Sequence, residues 1–488
     1  MKDLLDDLLK RLRAKDAPCV EYADARWVED RREQLRVRNR EVTASSRARS
    51  SGVGIRVLSR GAWGFSATSD LRPAAIEAAA ARAVEVAHAS ALVPRSPVRL
   101  AREEPMVASY VSPRGKDPFE VPLDDKIQVL VRACDRLLDG LGPSGTAQAR
   151  MDWALVRKVF VSTEGARIEQ DTLHGGAGIS CLAVGDDGEA QRRSYPTHQD
   201  GGVEQGGWEI VGALDLEGNA ERVREEAIEL CTAPPCPSGE RDLILEGSQL
   251  ALQVHESCGH ATELDRILGT EKSLAGGSFL RPEMLGSFRY GSPIIDIVAD
   301  ATAPGGLGTF AYDDEGVAAR PVPLVDRGIL VGFLSSRETA AEIGIDRSGG
   351  AMRADGALRA PLIRMVNVNL KPGNAGTLED LVRDTRDGIL MATNRSWSID
   401  DLRLNFQFGC EAAWEIKDGR RTRLVKNPIY AGVTPRFWQS CDAITGPAEW
   451  RIWGLQTCGK GEPMQLMHVG HGASPARFRS VSVGSSRP

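Results

Sequence analysis

Near its middle the chain carries three prolines and a glycine within eight residues, Thr232-Ala233-Pro234-Pro235-Cys236-Pro237-Ser238-Gly239. Proline fixes φ and removes a backbone donor, so neither a helix interior nor a central strand runs through such a segment. The break divides 488 residues into two parts, and at about 100–200 residues per domain the length accommodates two to four. The expected organisation is an N-terminal mixed α/β domain over 1–231, a linker over 232–239 and a β-rich C-terminal domain over 240–488, an α+β chain as a whole.

The flanking patterns give each part its character. Leucines at 4, 5, 8, 9 and 12 share one helical face in Met1–Ala14. Arg26–Arg60 mixes arginines with Glu29, Asp30, Glu33 and Glu41 around Leu35, Val37 and Val42, which reads as a solvated β-hairpin rather than a nucleic-acid patch. Gly52–Gly64 is β-rich; Arg72–Leu92, Leu123–Leu141 and Leu214–Cys231 read as helices, and Ala149–Tyr195 as short strands. Past the prolines, Asp242–Leu245 reads as a strand, Ser248–Leu264 as a helix and the remainder as β, with turns at Asp326-Arg327-Gly328 and Asp418-Gly419. Thr377–Asp387 is the one clear later helix, and a serine-rich tail starts at Ser480.

Composition removes several classes of function. With 61 basic and 67 acidic side chains the formal charge is −6, which gives nucleic acid no electrostatic footing. Pro73–Val93 is the most apolar long stretch, yet Glu77, Arg82, Glu85 and His88 exclude a bilayer span. Met1-Lys2-Asp3-Leu4-Leu5-Asp6-Asp7 places acids where a secretory signal carries basic residues, so a cytoplasmic protein is expected. Nine scattered cysteines, an odd number, fit reduced thiols better than a disulfide framework.

Two of the seven histidines lie in Val254-His255-Glu256-Ser257-Cys258-Gly259-His260-Ala261-Thr262-Glu263-Leu264-Asp265. Neutral imidazoles ligate zinc, and a glutamate directly after the first is where a metalloprotease helix keeps its general base. The spacing is one residue longer than H-E-x-x-H. At about 100° per residue an i, i+5 pair is about 140° apart on a regular α-helix, too far to share one ion. A π-turn restores a common face, and Gly259 lowers the cost of the distortion, so a π-bulge or helix break is expected between His255 and His260. A third ligand would come from Cys258, Cys410, Cys441, Cys458, His468 or His471. Cys458 stands among glycines, with Lys460 nearby to favour its thiolate. Glu263 and Asp265 read as carboxylates behind the imidazoles or as an acidic helix end. Asp313-Asp314-Glu315-Gly316 reads as an acidic turn before a second metal site, Cys231 and Cys236 as thiols beside the linker, and Gly175-Gly176-Ala177-Gly178 lacks the context of a nucleotide loop.

Taken in order, His255-Glu256-x-x-Gly259-His260-x-x-Glu263-x-Asp265, Gly308-Thr309-Phe310 leading into Asp313-Asp314-Glu315-Gly316-Val317, and Cys458-Gly459-Lys460 resemble the TldD/PmbA family in its metal-bearing TldD branch. Gly52-Val53-Gly54-Ile55-Arg56-Val57 with Gly64-Phe65 is similar to the same family, so the resemblance spans nearly the whole chain. It implies a Zn²⁺ metallopeptidase with His255, His260 and Cys458 as metal ligands. It also implies a dimer, commonly a heterodimer with a metal-free PmbA/TldE-type subunit, enclosing a cavity for extended or unfolded peptides, with leader-peptide trimming and antitoxin degradation among the family's roles. Ser257-Cys258 replaces a small apolar pair and Leu264 a glycine, departures that bear on substrate detail.

The expected chemistry is peptide hydrolysis with Glu256 as general base and, at the leaving amine, general acid. Extended substrate would pair with an exposed strand edge. The alternatives are a zinc amidase acting on a small molecule, which a narrow closed pocket would favour, and a non-catalytic regulatory or binding subunit, which absence of zinc would favour.

Overall fold

Alternating apolar and charged residues after the first helix fold as two long antiparallel strands, β1 (Val20–Arg38) and β2 (Glu41–Ser59), which turn through Asn39 and Arg40 in left-handed backbone. The computed structural model describes residues 1–13, 20–93, 96–198, 201–273 and 276–486. β3 (Ala62–Thr68), β4 (Val107–Val111), β5 (Thr146–Ser162), β6 (Arg167–Val184), β7 (Ala190–Tyr195) and β8 (Gly202–Gln205) complete the first sheet. Its order is β3-β2-β1-β5-β6-β4, with β7 and β8 both added to β6. Helices α1 (Lys2–Arg13), α2 (Pro73–Ser90), α3 (Leu123–Leu138), α4 (Glu209–Leu214) and α5 (Leu216–Thr232) accompany it. Leu130 and Leu137 of α3 and Val223 of α5 bury against Leu35, Met151 and Ile179 of the sheet.

Of the short strands expected between Ala149 and Tyr195 only β7 is short; the rest of the segment forms two strands of 17 and 18 residues, β5 and β6. The glycines of Gly175-Gly176-Ala177-Gly178 lie inside β6, and Gly176 serves packing: a Cβ on it would stand 1.8 Å from the carbonyl oxygen of Gly202, where β8 closes on β6.

Beyond the prolines, β9 (Gly239–Leu245) opens a set of fourteen further strands running to β23: β10 (Ile297–Asp300), β11 (Pro321–Asp326), β12 (Ile329–Leu330), β13 (Met352–Arg353), β14 (Leu362–Ile363), β15 (Val368–Leu370), β16 (Asp387–Ile399), β17 (Asn405–Lys417), β18 (Arg420–Val425), β19 (Pro428–Val433), β20 (Cys441–Ile444), β21 (Arg451–Lys460), β22 (Gln465–Ala473) and β23 (Ala476–Ser485). The path β16-β9-β23-β19-β17 closes on itself because β16 also pairs with β17. Phe408, Tyr430, Phe437, Trp438 and Phe478 form the aromatic part of the associated core. Ser480 therefore begins no tail: it lies in β23, where Val481 and Val483 are buried. The helix expected over Thr377–Asp387 is shorter, Leu378–Arg383, capped by Thr377 and Asp380, while Asp387 opens β16. Short helices also form at Arg337–Glu342 and Thr434–Gln439. The eight cysteines among the described residues are all free.

The acidic turn joins the two parts of the chain. Asp313 accepts from the backbone N–H groups of Glu315, Val317 and Met352; Asp314 pairs with Lys158 of β5 at 3.0 Å, and Glu315 with Arg56 of β2 at 3.3 Å.

Every residue from Gly247 to Arg266 is buried. Helix α6 (Gly247–Val254) occupies the start of this segment, between β16 and the β21–β22 hairpin. Its Gln249 donates to the Tyr430 hydroxyl at 2.8 Å, which donates in turn to Gln253 at 2.9 Å, and the buried segment beyond it carries His255, Glu256 and His260.

Candidate metal centre

The single helix expected over Ser248–Leu264 breaks at the motif. His255–Gly259 winds as one π-turn, His260–Thr262 as a 3₁₀ turn, Glu263 is extended, and α7 (Leu264–Leu268) follows. Side chains take up the carbonyls that this irregular ladder leaves: Ser257 donates to Gln253 O at 2.6 Å, Thr262 to Cys258 O at 2.9 Å, and the Tyr290 hydroxyl to Ser257 O. Gly259 has φ −59°, ordinary helical backbone, so conformational freedom is not its role. A Cβ there would lie 1.9 Å from the sulfur of buried Met365; close approach is what requires the glycine.

The widened turn brings the two rings edge to face with centroids 4.8 Å apart. Cys458 reaches them from β21. A bulge between Leu455 and Cys458 shifts the pairing to β22 immediately before the cysteine and turns its side chain inward. Donor atoms of His255, His260 and Cys458 all lie within 4.8 Å of one another, and all three residues are buried.

Hydrogen bonding fixes which ring nitrogens are available. A carbonyl only accepts, so His471 Nδ1 donates to Val368 O at 3.0 Å and its Nε2 accepts. His255 Nδ1 donates to that Nε2 at 2.7 Å, which leaves His255 Nε2 with its lone pair. His260 Nδ1 donates to Glu263 Oε2 at 3.0 Å, and its Nε2 stands 3.6 Å from Cys458 Sγ. Burial holds the pKa of His255 down to about 4 and pushes those of His260 and His471 down as well, so the imidazoles stay neutral. Burial pushes the Cys458 thiol up, but His260 and Arg364 outweigh it and hold it below its usual value. Two neutral imidazoles and an acidified thiol are the donors zinc takes, and ligand lengths of about 2.05 and 2.3 Å in a tetrahedron separate N from S by about 3.6 Å. The donor set fits that ion.

Glu256 lies on the same turn, its Oε2 accepting from Arg403 Nη1 at 2.9 Å. Glu263 is held well below the usual carboxylate range: burial opposes ionisation, and Lys460, His260 and Arg266 overcome it. Lys460 does not serve the thiol as the sequence suggested; its ammonium binds Asp265 at 2.8 Å, Ile363 O at 2.7 Å and Glu263 at 3.3 Å. Asp265 touches Lys460 and no imidazole.

The other ligand candidates lie elsewhere. Cys258 sits against Ser257 at 3.7 Å, and burial pushes its thiol up to about 12. Burial likewise raises Cys410 and Cys441. His468 pairs with His174 of β6 at 2.7 Å, on the opposite face of β22 from His471. His471 backs His255. Arg403, Arg364 and Met365 escaped sequence reasoning, because nothing in their local pattern ties them to a motif more than a hundred residues away.

The model of the PmbA/TldA metallopeptidase C-terminal domain matches residues 238–485, and that of PmbA/TldA metallopeptidase domain 1 matches 23–87. A metalloprotease of Methanothermobacter thermautotrophicus is 30% identical over 96% of both chains. The chain belongs to the TldD/PmbA family. A zinc metalloprotease TldD homolog of Saccharolobus solfataricus is 24% identical over 56% of this chain and 58% of its own. The crystal structure of TldE from Thermococcus kodakarensis has the same fold, with a TM-score of 0.73 over 98% of this chain and 99% of its own at 16% identity. In this TldD/PmbA member, His255, His260, Cys458 and Glu256 all fall within the matched C-terminal domain. No helix among the described residues is long and apolar enough to cross a membrane.

Proposed function

We propose that the chain is a zinc-dependent peptidase acting on extended or unfolded peptides, with His255, His260 and Cys458 as metal ligands and Glu256 as the catalytic base. The observation that carries this reading is the convergence of three deprotonatable donors within 4.8 Å beside a glutamate on the same turn. Bound zinc would polarise the scissile carbonyl and acidify a water molecule next to it. Glu256 takes the water's proton and returns it to the leaving amine. Arg403 holds Oε2 of that carboxylate, which fixes its rotamer and leaves Oε1 to face the water. Glu263 and His471 hold the imidazoles in their Nε2-ligating tautomers.

The wider reading has further support. The likeness to TldE and the family membership favour assembly as a dimer, with a PmbA/TldE-type subunit or a second copy, and leader peptides or small unfolded proteins as substrates. Free cysteines fit a reducing cytoplasm. The proline-rich run 232–239 is proposed as the boundary between an N-terminal domain over 1–231 and the C-terminal domain over 240–488.

Metal analysis with a peptidase assay tests the proposal on the chain alone and with any partner that co-purifies. Zinc close to one equivalent is expected, and Glu256→Gln should keep the zinc while lowering turnover by about 10³-fold or more, as loss of a general base does. Cleavage by Glu256→Gln at the unmutated rate refutes the assigned base.

A further inference from the structure

Beside the metal centre lies a second chemical feature that the hydrolytic machinery does not use. A cavity of about 110 Å³ opens between the first sheet and the C-terminal part, lined by Lys158, His174, Thr309, Phe310, Arg353 and His468 among others. It adjoins the centre: Met467, also in its wall, is the cross-strand partner of Cys458.

The cavity wall carries Asp30, Asp313, Asp314 and Asp355 against Arg32, Lys158 and Arg353, and these groups differ in their partners. Lys158 is taken by Asp314 at 3.0 and 3.2 Å, and Arg32 by Asp30 at 2.8 Å. Asp355 accepts the backbone N–H of Leu466 at 3.0 Å, and Asp313 is occupied by three backbone N–H groups. Arg353 alone among these cations has no carboxylate within ion-pair distance. Its guanidinium donates to Met365 O at 2.8 Å and, weakly, to Leu307 O at 3.5 Å, and lies over the Phe310 ring at 5.6 Å. Five N–H donors thus meet two neutral carbonyls. Burial and the neighbouring Arg364 hold its pKa down to about 10 against the opposing pull of Asp314 and Cys458. Arg353 is half-buried, and a planar carboxylate is the group that engages a guanidinium through two parallel hydrogen bonds.

The histidine pair adds a donor. His174 and His468 share one hydrogen bond at 2.7 Å, and burial keeps both neutral. Whichever ring donates, the pair retains one N–H and one lone pair on its outer nitrogens. An anion in the cavity is offered the Arg353 guanidinium, and an imidazole N–H in the tautomer of the pair that places its outer proton toward the cavity.

We propose that this cavity is a subsite for a carboxylate of the substrate, with Arg353 as its anchor and the His174–His468 pair as a further donor. The carboxylate is the C-terminus of the peptide or an acidic side chain near the scissile bond. The assignment rests on the peptidase reading, and it makes that peptidase selective for peptides with an anion a short distance from the cleaved bond.

The test measures binding apart from turnover. Zinc-loaded, full-length Glu256→Gln protein is titrated, by fluorescence anisotropy, with a labelled octapeptide ending in a free carboxylate, with its C-terminal amide, and with an amidated version carrying one internal glutamate. The free acid should bind on the order of 10- to 100-fold more tightly than the plain amide, the range expected for hydrogen bonds to a charged group. Arg353→Gln should abolish the difference and Arg353→Lys retain part of it. An internal glutamate that restores affinity to the amide identifies the anion as a side chain; failure to restore identifies it as the terminus. Equal affinity for acid and amide with Arg353 intact overturns the subsite, and this comparison needs no variant at Arg353 to fold. Carboxylate-dependent binding without hydrolysis by the unmutated chain, both alone and with any partner that co-purifies, keeps the subsite and overturns the peptidase reading. Hydrolysis with no carboxylate preference does the reverse.

Discussion

At the scale of single residues, the centre depends on hydrogen bonds that decide where lone pairs point. His471 is the clearest case. It stands among six candidate third ligands in sequence, yet in the fold it accepts from His255 and donates to Val368 O, so its effect on a metal is indirect. Replacing it with leucine removes the acceptor behind His255. Zinc affinity, measured by competition with a chromophoric chelator, should fall by about 10- to 100-fold, as for other groups that orient a ligating imidazole. An unchanged affinity would show that the His255 ring needs no such support. The sequence could rank these candidates only partly. His468 and His471 are three residues apart on β22 and must face opposite ways, but which of them faces Cys458 follows from the hairpin register, in which Cys458 opposes Met467. Cys258 is adjacent to the histidines in sequence and still excluded, because the π-turn aims its sulfur at Ser257 and Tyr290.

At the scale of elements, the π-turn of His255–Gly259 sets the relative placement of the two imidazoles. The i, i+5 spacing of the histidines is incompatible with a shared ion on a regular helix, so the π-turn was legible from spacing alone. The reason for Gly259 was not. Its φ is helical, and the constraint is Met365 Sδ, brought there from the far side of the core. Gly259→Ala should therefore destabilise the protein by about 1–3 kcal/mol in chemical denaturation, the usual range for overpacking a tight core. Met365→Ala in the same chain should recover part of that loss, since the pair is coupled through one volume. Strictly additive effects would contradict the close-approach explanation. The long strands β5 and β6 make a related point. Glycines that look like interruptions are sites where another backbone arrives, and that arrival is invisible in a local window.

Across the whole molecule, burial of histidines links protonation to stability. Folded pKa values of about 4 for His255 and about 3 for His174, set chiefly by burial, lie below the value of about 6.5 in an unfolded chain. Between those limits the unfolded state binds more protons, so stability falls as pH drops through 6.5 and is unaffected above about 7.5. For His255 in metal-free protein the loss at pH 5 is about 2 kcal/mol. Asp313, Glu246 and Glu411, which burial raises, push the opposite way, so the net shift in Tm is smaller than the histidine sum. Histidine-selective NMR separates the contributions. Both imidazoles should keep neutral-form shifts at pH 5, and titration near 6.5 by either would contradict its burial.

The sequence by itself determined the kind of chemistry and the kind of fold. Paired histidines, the glutamate between them and a late cysteine specify donors, and hydrophobic period and the proline-rich break specify helices, strands and an α+β chain. These are local properties, written in neighbours within one or two turns. Only the tertiary structure decided which cysteine meets the histidines, which imidazole backs which, why Gly259 has no side chain, and that Arg353 lines a cavity with no carboxylate in contact with it. Those depend on strand register and on approaches between residues 147 to 216 positions apart, and such approaches are fixed by packing of the whole core rather than by any stretch of the chain.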